Sequence, residues 1–210
     1  MIYLKHDCGV IVMNKDREQI YEEAKKAEGV ITTKEIEELG IGRYKIKDLV
    51  SEGFLVKESK GIYSISEEAP DEYVTLQKRS SKLVYSYGTA LFFQGLSDRV
   101  PRIIDVTLPQ GYNASRVKKN NPNLRVHYVK AEVLELGSEF VETPQGAKVR
   151  VYSKERCICD IIKDQKKIDK QIYTHAIKSF FDGKYNAREL IKTAKAIGVE
   201  GEVRKYMEVF

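Results

Sequence analysis

Side chains able to contact nucleic acid cluster after Gly42, where Arg43, Tyr44, Lys45 and Lys47 follow within one short segment. Arginine and lysine can pair with the O6 and N7 atoms of guanine or bind phosphates, and tyrosine can contact a phosphate or a sugar. Two further lysines, Lys57 and Lys60, follow soon after. This set of donors favours recognition of a DNA groove and its backbone, and it specifies no base sequence.

Residue patterns typical of catalysis are absent from the sequence. It contains no P-loop, no G-x-G-x-x-G after a strand and no G-x-S-x-G. Gly137-Ser138 is not followed by the D-x-D pair expected of a nucleotidyltransferase. After residue 79, the acidic-x-Lys spacing of metal-dependent nucleases occurs only at Asp164–Lys166 and Asp182–Lys184, in expected helix or loop. We therefore predict no enzymatic activity and no cofactor.

The cysteine and histidine residues do not form a metal-binding pattern. Cys157 and Cys159 make a C-x-C pair with no further Cys or His nearby, which is a poor zinc site. Their apolar surroundings, RCICDII, favour buried thiols on a helix. Cys8 is expected to be a plain thiol, and His127 a residue of a strand. We predict no bound metal.

The segment before Arg43 has the features of a helix followed by a tight turn. Thr32 or Thr33 can cap a helix, and Glu35 stands three residues after Thr32, which is the capping-box spacing. Gly40 allows a left-handed exit. The next helix, over 43–52, has Ile46, Leu49 and Val50 on one side, which leaves the polar residues of that helix facing outward.

Two strands are expected after Gly53, at Phe54–Val56 and Ile62–Ile65, with a wing tip at Ser59-Lys60-Gly61. With a first helix over Lys15–Glu28, the order is that of a winged helix-turn-helix, whose second helix enters the DNA major groove. The predicted DNA contacts are Thr33, Arg43, Tyr44, Lys45, Lys47, Lys57 and Lys60. The alternative is a winged helix that contacts only proteins, because a fold alone does not define a function.

Composition and charge fit a protein with one large or two small domains. Of 210 residues, 42% are hydrophobic and 32% charged, and no apolar run is long enough to span a membrane. The N-terminus lacks a signal-peptide pattern, so a cytoplasmic location is expected. The net charge of +5 divides into −4 for residues 1–78 and +9 for residues 79–210. One winged helix alone should bind DNA weakly, so either two copies or the basic second domain must contribute.

The predicted fold class is α+β, with the winged helix at 1–66, a polar linker at 67–79 and a mixed α/β domain at 80–210. Expected helices include Ser81–Leu96, Lys166–Phe181 and Ala187–Ile197, and expected strands include Arg102–Leu108 and Leu124–Val129. Basic residues of this domain are either solvated or form a positive surface for DNA, RNA or an acidic protein. These candidates are Arg116, Lys118, Lys119, Arg125, Lys163, Lys166, Lys167 and Lys170.

The order of these parts resembles a known family. After the winged helix come YSYGTALFFQGLSDRVPRIIDVTLP and then a hairpin leading to YSKERCICDII. This arrangement resembles the AbiEi family of antitoxins from bacterial abortive-infection (type IV toxin–antitoxin) systems. The matching segments are Ser86–Leu96, Val100–Pro109 and Ser153–Ile162, and the likeness spans nearly the whole chain. Each motif is mostly an apolar pattern, so their order carries the resemblance.

The resemblance implies a phage-defence antitoxin that represses its own operon by binding inverted repeats in the promoter, with self-association on DNA. It also implies that the C-terminal domain counteracts a nucleotidyltransferase-like toxin without a required stable complex. It transfers no named residues for that second activity. Two alternatives remain open: a DNA-binding regulator that responds to a small ligand, and a DNA-guided nuclease.

Overall fold

The structure is a computed structural model that describes residues 3–6, 9–65, 70–119 and 121–210, without the side chains of residues 3–6, 9–12 and 116. Cys8, Ser66 at the end of the predicted winged helix and residues 67–69 of the predicted linker therefore lie outside the described residues. The chain divides into two compact units. Unit 1 comprises Met1–Ser81 with Glu142–Val149, and unit 2 comprises Lys82–Val141 with Arg150–Phe210.

Unit 1 has the element order of a winged helix-turn-helix, preceded by a short hairpin and followed by one more helix. Its elements are β1 (Tyr3–His6), β2 (Gly9–Val12), α1 (Lys15–Lys25), β3 (Val30–Thr32), α2 (Thr33–Glu38), α3 (Arg43–Ser51), β4 (Leu55–Ser59), β5 (Ile62–Ile65) and α4 (Glu72–Lys78). Strand β5 lies between β3 and β4, antiparallel to both. The predicted fold class, α+β with an N-terminal winged helix, is confirmed.

The local sequence explains where the helices of unit 1 begin and end. Thr32 Oγ1 accepts a hydrogen bond from the backbone N–H of Glu35, and the Glu35 carboxylate accepts one from Thr32 N at 2.8 Å, so the predicted capping box is present. Gly40 and Gly53 have φ values of +81° and +74°, as expected at helix exits. Helix α1 ends at Lys25, three residues before the predicted end, because Glu28 takes a left-handed conformation with φ of +45°.

An apolar core lies between the three helices and the wing. Side chains from α1, α2, α3 and the wing strands pack into it, and they include Ile20, Ile36, Ile46, Leu49, Phe54 and Ile65. Ile46 and Leu49 are the residues that the helical spacing had placed inward. The orientation of α3 is therefore determined by burial of one side, which leaves its opposite side in solvent.

Helix α4 occupies Glu72–Lys78, within the segment where the polar composition predicted a linker. Asp71 caps this helix by accepting hydrogen bonds from the backbone N–H groups of Tyr73 and Val74 at 2.8 and 3.3 Å. Tyr73, Val74 and Leu76 are buried. Lys78 forms an ion pair with Glu35, so α4 is fastened to the capping box of α2.

Unit 2 is built on a five-stranded mixed sheet with helices. Its elements are β6 (Val84–Tyr85), α5 (Tyr87–Phe93), β7 (Ile104–Pro109), α6 (Ser115–Lys118), β8 (Leu124–Val129), α7 (Ala131–Leu134), β9 (Ser138–Glu142), β10 (Lys148–Tyr152), α8 (Lys154–Lys163), α9 (Lys170–Phe181), α10 (Ala187–Ile197) and α11 (Glu200–Val209). The strand order is β8-β7-β6-β10-β9. Strand β7 is parallel to β8 and antiparallel to β6, and β6 is parallel to β10.

Two helix predictions in unit 2 were wrong in part. The segment expected as one helix, Ser81–Leu96, contains strand β6 before α5, because Val84 and Tyr85 are fully buried and pair with β7 and β10. The helix expected over Lys166–Phe181 begins only at Lys170, where Asp169 caps it. Gln165–Lys167 instead form one turn of 3-10 helix, and Ile168 is extended. Tertiary pairing and a cap override the helical propensity in these two places.

A buried arginine organises the first half of α8. The side chain of Arg156 is 1% exposed, and its Nε lies 3.1 Å from both carboxylate oxygens of Asp160. Its Nη1 donates to the carbonyl oxygens of Val133 and Leu136 at 2.7 and 2.8 Å, and its guanidinium lies over the ring of Tyr152. Arg156 therefore supplies donors to one carbonyl group of α7 and to one in the turn before β9.

The cysteine pair lies on the same helix. Cys157 and Cys159 are buried free thiols of α8, which confirms that prediction. Burial raises the pKa of Cys157 well above that of an ordinary thiol and raises the pKa of Cys159 to about 12. Both groups therefore stay protonated and unreactive near neutral pH.

Candidate nucleic-acid interface

The side of α3 opposite the core carries polar and aromatic side chains. Tyr44 is 71% exposed, and Lys47, Asp48 and Ser51 are exposed as well. At 100° per residue, Tyr44, Asp48 and Ser51 lie opposite the buried pair of Ile46 and Leu49, and Lys47 borders them. A duplex facing this side would meet one aromatic ring, one ammonium group and one carboxylate.

The turn before α3 is shaped to accept the ring of Tyr44. Gly42 is the N-cap of α3 and, as a glycine, has no side chain. A Cβ atom on Gly42 would lie 2.7 Å from Cε1 of Tyr44, closer than two carbon atoms can approach. The Tyr44 ring therefore lies back over the turn between α2 and α3.

Two of the predicted DNA contacts are engaged in ion pairs within unit 1. Arg43 donates from Nε and Nη2 to the two carboxylate oxygens of Glu37 on α2, at 2.5 and 3.1 Å. Lys45 forms an ion pair with Asp16 in the first turn of α1. These hydrogen bonds raise the pKa values of Arg43 and Lys45. Sequence reasoning missed both carboxylates, because each lies on another helix than the cation it contacts.

The wing places its predicted contacts in solvent. Lys57 on β4 and Lys60 at the turn between β4 and β5 are both exposed. Thr33, at the start of α2, is half-buried, and its backbone N–H donates to the carbonyl oxygen of Gly61 at 2.9 Å. This bond links the start of α2 to the wing turn. The two residues are in close contact, because a Cβ atom added at Gly61 would lie 3.4 Å from Oγ1 of Thr33.

The basic candidates of unit 2 occupy several separate elements. Lys118 and Lys119 are exposed at the end of α6, and the side chain of Arg116 lies outside the described part of the chain. Arg125 on β8 lies 3.6 Å from the Asp105 carboxylate. Four exposed lysines stand at the end of α8, in the 3-10 turn and at the start of α9: Lys163, Lys166, Lys167 and Lys170. Lys167 forms an ion pair with Asp164 at 2.6 Å.

A polar cluster that was not predicted from the sequence lies in unit 2, between strands β7 and β8 and helix α5. Asp105 Oδ1 accepts a hydrogen bond from His127 Nε2 at 2.7 Å, and the His127 ring stacks on Tyr87 with 3.9 Å between centroids. The Tyr87 hydroxyl donates to Asp164 at 2.6 Å, and burial raises the pKa of Tyr87. Tyr87 also has a positive φ of 44°, a strained value for a residue with a side chain. His127 is a strand residue, as predicted.

The described residues contain neither a metal-binding cluster nor a membrane-spanning helix. Within residues 3–6, 9–65, 70–119 and 121–210, no group of three or more His, Cys, Asp and Glu side chains is arranged to hold a metal ion. Within the same part of the chain, none of the helices combines the length and apolar character needed to cross a membrane.

Unit 1 has a helix, a strand, two helices joined by a tight turn and a two-stranded wing, and these define a winged helix-turn-helix. Residues 18–66 match the family model described as "Transcriptional regulator, AbiEi antitoxin". The resemblance to the AbiEi family is therefore confirmed over the winged-helix segment, which is similar to transcriptional regulators of this antitoxin family. No curated protein sequence matches the chain.

A solved structure is similar over most of both chains. The crystal structure of the RV2827C protein from Mycobacterium tuberculosis matches with a TM-score of 0.50 and 14% sequence identity. The match covers 94% of this chain and 82% of that chain. At this level of identity the likeness concerns the fold alone.

Proposed function

We propose that unit 1 binds duplex DNA with the outward side of α3 in the major groove and with the wing on the backbone. The observation that carries this proposal is the burial of Ile46 and Leu49, which turns Tyr44 and Lys47 outward on a module of an antitoxin regulator family. The proposed contacts are Thr33, Arg43, Tyr44, Lys45, Lys47, Lys57 and Lys60. Lysine and arginine would bind phosphates, and Tyr44 would contact a phosphate or a sugar.

The charge of the module favours binding by more than one copy. Residues 1–78 carry 12 basic and 16 acidic side chains, so their net charge is −4. Because non-specific affinity comes mainly from neutralised phosphates, one such module binds weakly. We propose that two protomers occupy an inverted repeat in the promoter of their own operon and thereby repress it in the cytoplasm. The basic residues of the second domain would add contacts to DNA or to a partner.

The second half of the proposed function belongs to the C-terminal region. We propose the division made from the sequence, with DNA binding by residues 1–66, a connection over 67–79 and the antitoxin activity in residues 80–210. This region would counteract a nucleotidyltransferase-like toxin in a type IV system, without a stable complex and without chemistry of its own. The antitoxin family of the N-terminal segment supports this assignment.

One experiment tests both halves together. Fluorescence anisotropy with the upstream promoter duplex and with a random duplex of equal length measures specific binding at several salt concentrations. Arg43→Ala combined with Lys47→Ala should abolish promoter binding, while co-expression should still rescue cells from the toxin. The matched control is Lys25→Ala with Lys26→Ala, which removes the same charge from two exposed positions at the C-terminal end of α1.

Each half has its own contradicting result. If the unmodified protein binds promoter DNA no better than random DNA at any salt concentration, the repressor function is wrong. If the folded Arg43/Lys47 variant no longer rescues cells although the control does, the division into a DNA-binding region and an antitoxin region is wrong.

A further inference from the structure

The two cations at the start of α3 already have anionic partners, and those partners lie on other helices. Arg43 contacts both oxygens of Glu37, in the bidentate arrangement that guanidinium groups also form with phosphates. Lys45 contacts Asp16. Neither pair is enclosed: the Arg43 side chain is 73% exposed and the Lys45 side chain 41% exposed. A DNA phosphate could therefore take the place of either carboxylate.

The other cations of the proposed interface differ from these two. Lys47, Lys57 and Lys60 are exposed, and no ion pair of theirs is found among the residues that the structure describes. These three lysines can meet phosphates without giving up a partner. The proposed interface thus contains one group of available cations and one group of occupied cations.

From this division we infer that Asp16 and Glu37 act as competitors for phosphate and thereby set the specificity of DNA binding. This inference rests on the proposed function, because it concerns the same surface. On random DNA the protein gains phosphate contacts without matching base contacts. The exchange of a carboxylate for a phosphate then adds little to the binding free energy, because one anionic partner replaces another. On the operator, correct base contacts by α3 compensate for the exchange. The two carboxylates therefore weaken non-specific binding more than specific binding.

The competition also has a signature in the dependence on salt. The logarithm of the affinity falls with the logarithm of salt concentration by about 0.9 for each phosphate neutralised. If Arg43 and Lys45 stay with their carboxylates on random DNA, that complex neutralises two phosphates fewer than it could. Freeing both cations should steepen the slope on random DNA by up to about 1.8.

The test uses a double variant that carries both Asp16→Asn and Glu37→Gln. Its binding to promoter and random duplexes is compared with that of the unmodified protein by fluorescence anisotropy over a salt series. The matched control is Glu22→Gln with Glu23→Gln. It changes the net charge by the same amount on unit 1, and its carboxylates interact with Lys26. All three proteins should give the same circular dichroism spectrum, because all four positions are at least partly exposed.

We expect the Asp16/Glu37 variant to bind random DNA roughly tenfold more tightly with a steeper salt slope. Its promoter affinity should rise less, so the ratio of promoter to random affinity should fall. If the variant and the control give the same ratio and the same slope on random DNA, the inference is wrong. Failure of the proposed function looks different: the unmodified protein would then show no preference for the promoter, whatever the variants do on random DNA.

Discussion

Thr143 and Asp71, 72 residues apart in the sequence, are joined by a hydrogen bond inside unit 1, where the Thr143 hydroxyl donates to Asp71 Oδ2 at 2.5 Å. Both residues are buried. The other oxygen of Asp71 caps α4, so one carboxylate serves both the helix and the turn between β9 and β10. Thr143 Oγ1 also accepts from Ala147 N at 3.1 Å, which closes that turn.

Asp71→Ala should lower the free energy of unfolding by about 2–3 kcal/mol. The loss combines a missing N-cap, typically about 1 kcal/mol, with a buried Thr143 hydroxyl left without its acceptor. A urea titration followed by circular dichroism measures it. The control is Asp169→Ala, which removes a similar cap from α9 at an exposed position and should cost only about 1 kcal/mol. Equal losses in the two variants would show that the bond to Thr143 contributes nothing.

Arg156→Met should destabilise unit 2 by about 3–5 kcal/mol, because it leaves the Asp160 carboxylate buried without its partner. It also leaves the carbonyl groups of Val133 and Leu136 without a donor. Arg204→Met is the control: Arg204 pairs with Glu200 at the same i,i+4 spacing, but in solvent. Its expected cost is about 0.5 kcal/mol. Chemical unfolding of both variants distinguishes a buried pair from an exposed one, and similar costs would contradict the prediction.

Stability should depend on pH through Asp160. Burial raises the pKa of Asp160 to about 6, although Arg156 favours the charged form. Because the folded protein holds this proton more tightly than the unfolded chain does, the stabilisation is complete below about pH 4 and is lost as pH rises through 6. Two pKa units correspond to about 3 kcal/mol.

The measurement for this prediction is the difference in unfolding free energy between the unmodified protein and Asp160→Asn, from pH 3.5 to pH 7.5. As pH rises, the unfolding free energy of the unmodified protein should fall relative to that of Asp160→Asn by up to about 3 kcal/mol. Asp182→Asn changes an exposed aspartate and serves as the control. A difference that stays constant over this range for Asp160→Asn would disprove the prediction.

Gly42→Ala should weaken promoter binding through Tyr44. The new methyl group would stand where the Tyr44 ring lies, and the ring, as the far end of a flexible side chain, would swing away. If Tyr44 contacts DNA, affinity should fall by about fivefold to tenfold, the equivalent of roughly 1 kcal/mol. In a Tyr44→Ala background the same substitution should have no effect on affinity. An equal effect in both backgrounds would mean that the methyl group acts on the turn itself.

The two helices of the helix-turn-helix and strand β5 could be predicted from the sequence, whereas β3 was not predicted and β4 occupies Leu55–Ser59 instead of the predicted Phe54–Val56. The capping box, the glycine exits and the spacing of Ile46 and Leu49 are local features, and each restricts the backbone within one or two turns. The same holds for β8, whose bounds agree with the prediction. Strand β6 could not be predicted in this way, because its two residues become a strand only through pairing with β7 and β10, which come later in the chain.

The ion pairs of Arg43 and Lys45 at the candidate interface likewise could not be predicted from the sequence, because they form between separate helices. The sequence by itself determined the basic residues and their helix, since residue type and helical period suffice for both. Only the fold decided that Glu37 lies against Arg43, that Asp16 lies against Lys45, and that Tyr87 of α5 stacks on His127, which is bonded to Asp105. The physical reason is that a charge interacts with whatever lies within a few ångströms, and packing between separate elements determines which residues lie there.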